Sequence, residues 1–149
     1  MSLNNIFAIS GSAMSAQTIR LNTVASNIAN ADTVSSSEEQ TYRARKPVFS
    51  AMMQDSMRAY GWNEVSNDEF GAGVGVEVKG IVESDAPLQP RYEPDHPMAN
   101  ETGYVYYSNV NPVEEMADMM SASRSFQTNV EVMNSAKSMM QKMLTLGQS

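Results

Sequence analysis

The stretch "RLNTVASNIANADT", residues 20–33, constrains the fold more than any other. Leu21, Val24, Ala25, Ile28 and Ala29 fall at the spacing of one helical face. Thr23, Ser26, Asn27 and Asn30 form the other face, which carries no charge. Upstream, Phe7, Met14, Leu21 and Ile28 recur every seven residues, with Val24 and Ala25 widening the stripe. A helix over Leu3–Ala31 is expected, although Gly11 inside it costs about 1 kcal/mol relative to Ala. Arg20 is the only charged residue before Asp32. A helix that meets water on one side usually carries Lys, Glu or Arg there. A neutral polar face can instead be covered by protein without the desolvation cost of charges. The helix is therefore expected to be buried on several sides, by more than its one intramolecular partner. It gains most of its stability from that packing. Asn27 or Asn30 is expected to bond to the paired helix or to another subunit, and local capping by Asn30 is the competing reading.

The C-terminal part mirrors this pattern. "NPVEEM" offers Asn111 as N-cap, Pro112 at the first helical position and Glu114 three residues after the cap. Met119, Phe126, Met133 and Met140 recur every seven residues, with Val130 and Leu144 beside them and Gly147 as the stop. Seven methionines, from Met116 to Met143, suit a surface that fits several non-identical neighbours. An ordinary helical-pair core would need no such neighbours.

Between the helices, "TYRARKPVF", "VGVEVKGIV" and "GYVYY" alternate and are rich in β-branched or aromatic residues, so they read as strands. "APLQPRYEPDHP" is held extended and irregular by its prolines. "SAMMQDSMRAY" fits either a short helix or a bent strand extension. The expected class is α+β. The expected organisation is an N-terminal helix in 1–31, a loop and β-rich element in 32–110, and a C-terminal helix in 111–149.

Composition excludes several functions. A net charge of −7 opposes sequence-independent nucleic-acid binding, which needs many phosphate-neutralising cations. The absence of cysteine removes disulfides and thiolate metal sites. "MSLNNIFAISGS" has neither a basic n-region nor an apolar run of signal-peptide length, and no stretch reaches the ~18 apolar residues of a membrane span. "GAGVGVEVKG" has Val76 where a dinucleotide fingerprint needs its last glycine, and a strand pattern follows it. His96 is the sole histidine and too few ligands surround it for zinc. "RARK", through Arg43, Arg45 and Lys46, fits either a solvated strand face or a contact with an acidic neighbour. Binding of the first helix to a membrane surface would call for more cations than Arg20.

"LNTVASNIANADT" followed by "YRARKPVF" closely resembles the N-terminal signature of the bacterial flagellar axial rod proteins. "DHPMANETGYVYYSNVNPVEEMADMMSASRSFQTNVEVMNSAKSMMQKMLTLGQ" is similar to the C-terminal part of that family's proximal rod subunits. The resemblance spans residues 1–48 and 95–149, in family order. It implies paired terminal helices that assemble with copies of the chain and other rod proteins, and a β-rich element outside them. It implies a structural subunit of a tubular drive shaft that transmits torque around an export channel. It also implies delivery by the flagellar type III export apparatus without a cleaved signal peptide, a periplasmic position, and no catalysis or cofactor. The N-terminal signature falls on Leu21, Ala25, Asn27, Ile28, Asn30 and Ala31, and the C-terminal heptad on Met119, Phe126, Val130, Met133 and Met140. With Phe7, Met14, Val24 and Leu144, these are the expected assembly contacts. The segment 50–70, with the sole tryptophan Trp62, is longer than the family pattern. An adaptor or chaperone-like module and a small periplasmic enzyme built on the middle element are the alternatives.

Overall fold

The computed structural model describes residues 3–52 and 75–146. The segment around Trp62, the glycines Gly71 and Gly73, Val74 and the expected stop at Gly147 lie outside the described residues. Two long helices, α1 (Leu3–Ala29) and α2 (Pro112–Leu146), bracket five short strands. These are β1 (Val34–Ser35), β2 (Arg45–Met52), β3 (Gly75–Glu83), β4 (Gln89–Tyr92) and β5 (Tyr104–Tyr107). The class is α+β, as expected.

Both helix ends follow from local chemistry. α1 stops where the Asn30 side chain donates from Nδ2 to the Ser26 carbonyl at 2.8 Å and Thr33 Oγ1 donates to the Asn30 carbonyl at 2.7 Å. At the start of α2, Asn111 Oδ1 accepts from the Val113 amide at 3.1 Å, the N-cap bond the sequence predicts. The Glu115 amide donates to the Asn111 carbonyl at 3.1 Å. Its carboxylate turns inward to α1.

The helices run antiparallel. Asn27 near the end of α1 meets Glu115 at the start of α2, and Arg20 meets Asp118 one turn further on. The 27 residues of α1 and 35 of α2 correspond to about 40 and 52 Å at ~1.5 Å per residue, so α2 projects beyond its partner. Every residue from Lys137 to Leu146 is exposed.

The strands form two sheets. β2 and β3 make an antiparallel ribbon in which Arg45 pairs with Glu83 and Met52 with Gly75, with a bulge between Val48 and Phe49. The ribbon lies along α1 on a side not taken by α2. The second sheet has the order β1-β5-β4, all antiparallel, and sits at the joint between α1 and α2. The proline-rich stretch expected to be irregular therefore contains a strand. Pro90 is tolerated because β4 is an edge strand, where a missing N–H breaks no ladder. Asn109 joins the two sheets to the chain before α2. Its Oδ1 accepts from the Ala44 amide at 2.7 Å, and its Nδ2 donates to the Ala86 carbonyl at 2.8 Å.

Ser12 fixes the far end of the ribbon to α1. Its hydroxyl donates to the Ile9 carbonyl at 2.8 Å and accepts from the Val76 amide at 3.1 Å. Gly75, at φ +153°, makes this approach possible, because a Cβ there would stand 2.4 Å from Ser12 Oγ. Gly75→Ala is expected to lift the end of the ribbon from α1 and destabilise the chain by about 1–3 kcal/mol. Faster hydrogen exchange at the Val76 amide, with α2 unaffected, is the measurement that checks it.

Candidate assembly interface

Small side chains make the contact between the helices. α2 has no other helix or strand as a partner among the described residues, and its buried positions are Glu115, Ala122 and Ala136. With the half-buried Asn129 they form one heptad row. On α1 the row Ser10, Gln17 and Val24, with Ala16, Thr23 and Asn27 alongside, is buried or nearly so. Alanine, serine and threonine recur among these buried positions. The larger side chains of the two sequence stripes flank this seam. Phe7, Met14, Leu21 and Ile28 lie about 60° around α1 from the Ser10 row, and Met119, Phe126 and Met133 about 40° around α2 from the Ala122 row. All seven are half-buried, as are Val130 and Asn30. Val24 is buried, whereas Ala25, Met140 and Leu144 are exposed.

One amide joins three segments of the chain. Asn27 is fully buried. Its Nδ2 donates to the Arg45 carbonyl at 2.8 Å and to Glu115 Oε2 at 3.0 Å. Its Oδ1 accepts from the Tyr42 hydroxyl and from the Arg45 amide, both at 2.9 Å. Both hydrogens and both lone pairs are thus used. The Glu115 carboxylate also lies at the N-terminal end of α2, where the helix dipole favours a negative charge. Of the two asparagines in question, Asn27 reaches the paired helix and Asn30 makes the local stop.

The neutral face of α1 is covered partly within the chain. Ser12, Ser26 and Asn27 bond to the ribbon or to Tyr42 before it. Arg20, the lone charge of α1, pairs with Asp118 at 2.8 Å. What stays exposed on α1 is Asn5, Ala8, Ser15, Thr18, Asn22, Ala25 and Ala29, a strip without charge. The two arginines of the "RARK" cluster find partners in their own chain, and Lys46 is exposed. Arg45 pairs with Glu83 at 3.2 Å and lies over the Tyr42 ring, and Arg43 donates to the Ser84 carbonyl.

Among the described residues no three His, Asp or Glu side chains converge as for a metal ion. His96 Nδ1 accepts from the Met98 amide at 3.1 Å, a turn contact. An open groove of about 300 Å³ between α1 and the ribbon, lined by Ile19, Asn22, Thr23, Ser26, Arg45 and Ile81, holds no paired acid and base. No described helix is long and apolar enough to cross a membrane.

Two long antiparallel helices that bracket a β-rich insertion define the architecture. Comparison with known proteins narrows the class. A family model described as "Flagella basal body rod protein" matches residues 7–34, and one described as "Flagellar basal body rod FlgEFG protein C-terminal" matches 101–146. The chain is 49% identical over 148 residues to the flagellar basal-body rod protein FlgC of Escherichia coli O6:H1, covering 99% of this chain and 100% of that one. It is 48% identical to FlgC of Salmonella typhimurium over the same span, and 36% identical to FlgC of Bacillus subtilis over 143 residues, 93% of this chain and 94% of that one. The chain belongs to the FlgC family of flagellar basal-body rod proteins.

Two substitutions test the seam. Asn27→Leu keeps the volume but leaves the Tyr42 hydroxyl, the Arg45 backbone groups and the Glu115 carboxylate without their partner. It is expected to destabilise the chain by about 3–5 kcal/mol in denaturant unfolding. Combined with Glu115→Gln, the loss should be less than additive, by about 0.5–3 kcal/mol. Gln17 Oε1 is buried without a hydrogen-bond partner, so Gln17→Met is expected to stabilise the chain by about 1–2 kcal/mol and raise its Tm.

Proposed function

We propose that the chain is a structural subunit of the proximal rod of the flagellar basal body. It polymerises through its terminal helices, with copies of itself and with other rod proteins, into the tubular shaft that transmits torque around the export channel. It reaches the periplasmic space through the flagellar type III export apparatus, without a cleaved signal peptide. It acts mechanically and carries no cofactor.

The observation that carries this reading is the division of labour on each helix. Small residues close the intramolecular seam, and Phe7, Met14, Leu21, Ile28, Met119, Phe126, Val130 and Met133 stand half-exposed beside it. Met140 and Leu144 continue the α2 stripe onto the projecting end. An ordinary two-helix core would bury its largest side chains. Here they are held at the flanks, where a neighbouring helix can cover them, and the charge-free strip of α1 adds a surface that can be buried without desolvating ions. Ala25 belongs to that strip and Asn30 borders it. The family membership supports the same conclusion, since the relatives are named as rod proteins of the basal body.

Purified basal bodies probed by electron microscopy with the chain labelled should place the label on the rod. Phe126→Glu puts a charge at the centre of the α2 stripe while leaving the Ala122–Ala136 seam intact. The variant is expected to fold and be exported, to be absent from purified basal bodies, and to leave cells non-motile. Normal rods containing it would overturn the reading.

A further inference from the structure

The two ends of the molecule differ in chemistry, and the difference is complementary. At one end, α2 runs past α1. Residues 132–146 carry Lys137 and Lys142 and no acid. Met139, Met143 and Leu144 are exposed there, Met143 at 60% and Leu144 at 63%. At about 100° per residue they span an arc of about 140°, with Lys142 bordering one edge and Lys137 the other. Neither lysine makes an ion pair among the described residues.

At the other end, the β4–β5 hairpin projects from the sheet at the joint of the helices. Residues 94–104 carry Asp95 and Glu101 and no lysine or arginine, while Glu93 is turned to the other face, where its carboxylate accepts from the Tyr107 hydroxyl. Tyr92, 64% exposed, and Tyr104 form an edge-to-face pair with centroids 5.3 Å apart. Gly103, at φ +80°, holds this pair, because a Cβ there would stand 2.8 Å from the Tyr92 ring. Exposed Met98 lies in the same loop. Arg91, the nearest cation in sequence, is turned to the opposite face of β4 and lies 4.5 Å over the Tyr107 ring, so it does not neutralise the patch. Asp95 and Glu101 make no ion pair among the described residues.

We infer that the α2 end of one copy docks on the Tyr92–Tyr104 hairpin of a second copy. Methionine against aromatic rings is a favourable contact, and the lysines at the edges of the arc meet Asp95 and Glu101. The two surfaces cannot meet within one chain, because the helix that separates them is about 50 Å long. A contact between unlike patches at opposite ends is heterologous and repeats in one direction, giving an open assembly of uniform polarity. The inference rests on the reading of the chain as a polymerising subunit and names one of its contacts.

The chain has no cysteine, so introduced thiols report without background. Purified full-length Met143→Cys and Met98→Cys chains, mixed and oxidised, should yield a mixed disulfide at twice the 16.3 kDa chain mass. Adding Asp95→Lys and Glu101→Lys to the Met98→Cys chain should lower the yield on the order of tenfold, and Lys137→Glu with Lys142→Glu in the other chain should restore it. Equal cross-linking of Met143→Cys to a Val82→Cys chain, or a yield indifferent to charge reversal, would overturn the contact. So would capture, in basal bodies, of a different protein only. Presence of the same variants in purified basal bodies reads the rod assignment separately. Incorporation without the mixed disulfide leaves that assignment standing and removes this contact. Absence from basal bodies removes the assignment, and the purified mixture still decides the contact.

Discussion

The Asn27 amide is the constraint on which the rest of the chain depends. It is buried, and a buried amide with any group unpaired would cost about 1–3 kcal/mol. All its groups are paired, and each partner belongs to a different part of the fold: Tyr42 before the ribbon, the backbone of Arg45 at its first residue, and Glu115 at the start of α2. Asn27 therefore fixes where the ribbon leaves α1 and the register in which α2 returns along it. It also gives the buried Glu115 carboxylate a donor. A hydrophobic residue of the same size could fill the space but could not specify those three positions together.

From that register follows the sorting of side chains by size. With Asn27 opposite Glu115 and Arg20 opposite Asp118, alanines at 122 and 136 fall in the seam and the phenylalanine and methionines fall beside it. The monomer thus spends little of its apolar surface on its own helix pair. Among the described residues the buried hydrophobic side chains are chiefly alanine and valine, and the exposed large ones lie on α2, on the ribbon and on the β4–β5 hairpin. That leaves large apolar side chains on the surface, which is what the proposed assembly with neighbours would cover.

α1 occupies the centre of the arrangement, with α2 on one side and the ribbon on another. Its lack of charge is explained there without appeal to a partner for every residue: Ser12, Thr23, Ser26 and Asn27 are covered by the chain itself. The outer strip from Asn5 to Ala29 remains open. The polarity of the molecule is set by the same register, since it leaves the last turns of α2 uncovered at one end and the β4–β5 hairpin at the other.

The sequence by itself determined the two helices, the Asn111 cap, the strands β2, β3 and β5 and the charge-free character of α1, because these depend on local period and on residues a few positions apart. The resemblance of both ends to one family was likewise legible from short contiguous motifs. Two features were out of reach of periodicity. The heptad of large residues had the right period and a phase displaced by about 40–60° from the buried seam, since a repeat says that a stripe exists and not which side of it faces the partner. The strand at Gln89–Tyr92 was hidden by its prolines, which only an edge position permits. Tertiary structure alone decided that Asn27, Tyr42, Arg45 and Glu115 converge, that Arg20 and Asp118 pair, and that small residues close the seam. These are contacts between segments as much as 98 positions apart, and their geometry comes from how closely two backbones can approach once the side chains between them are chosen.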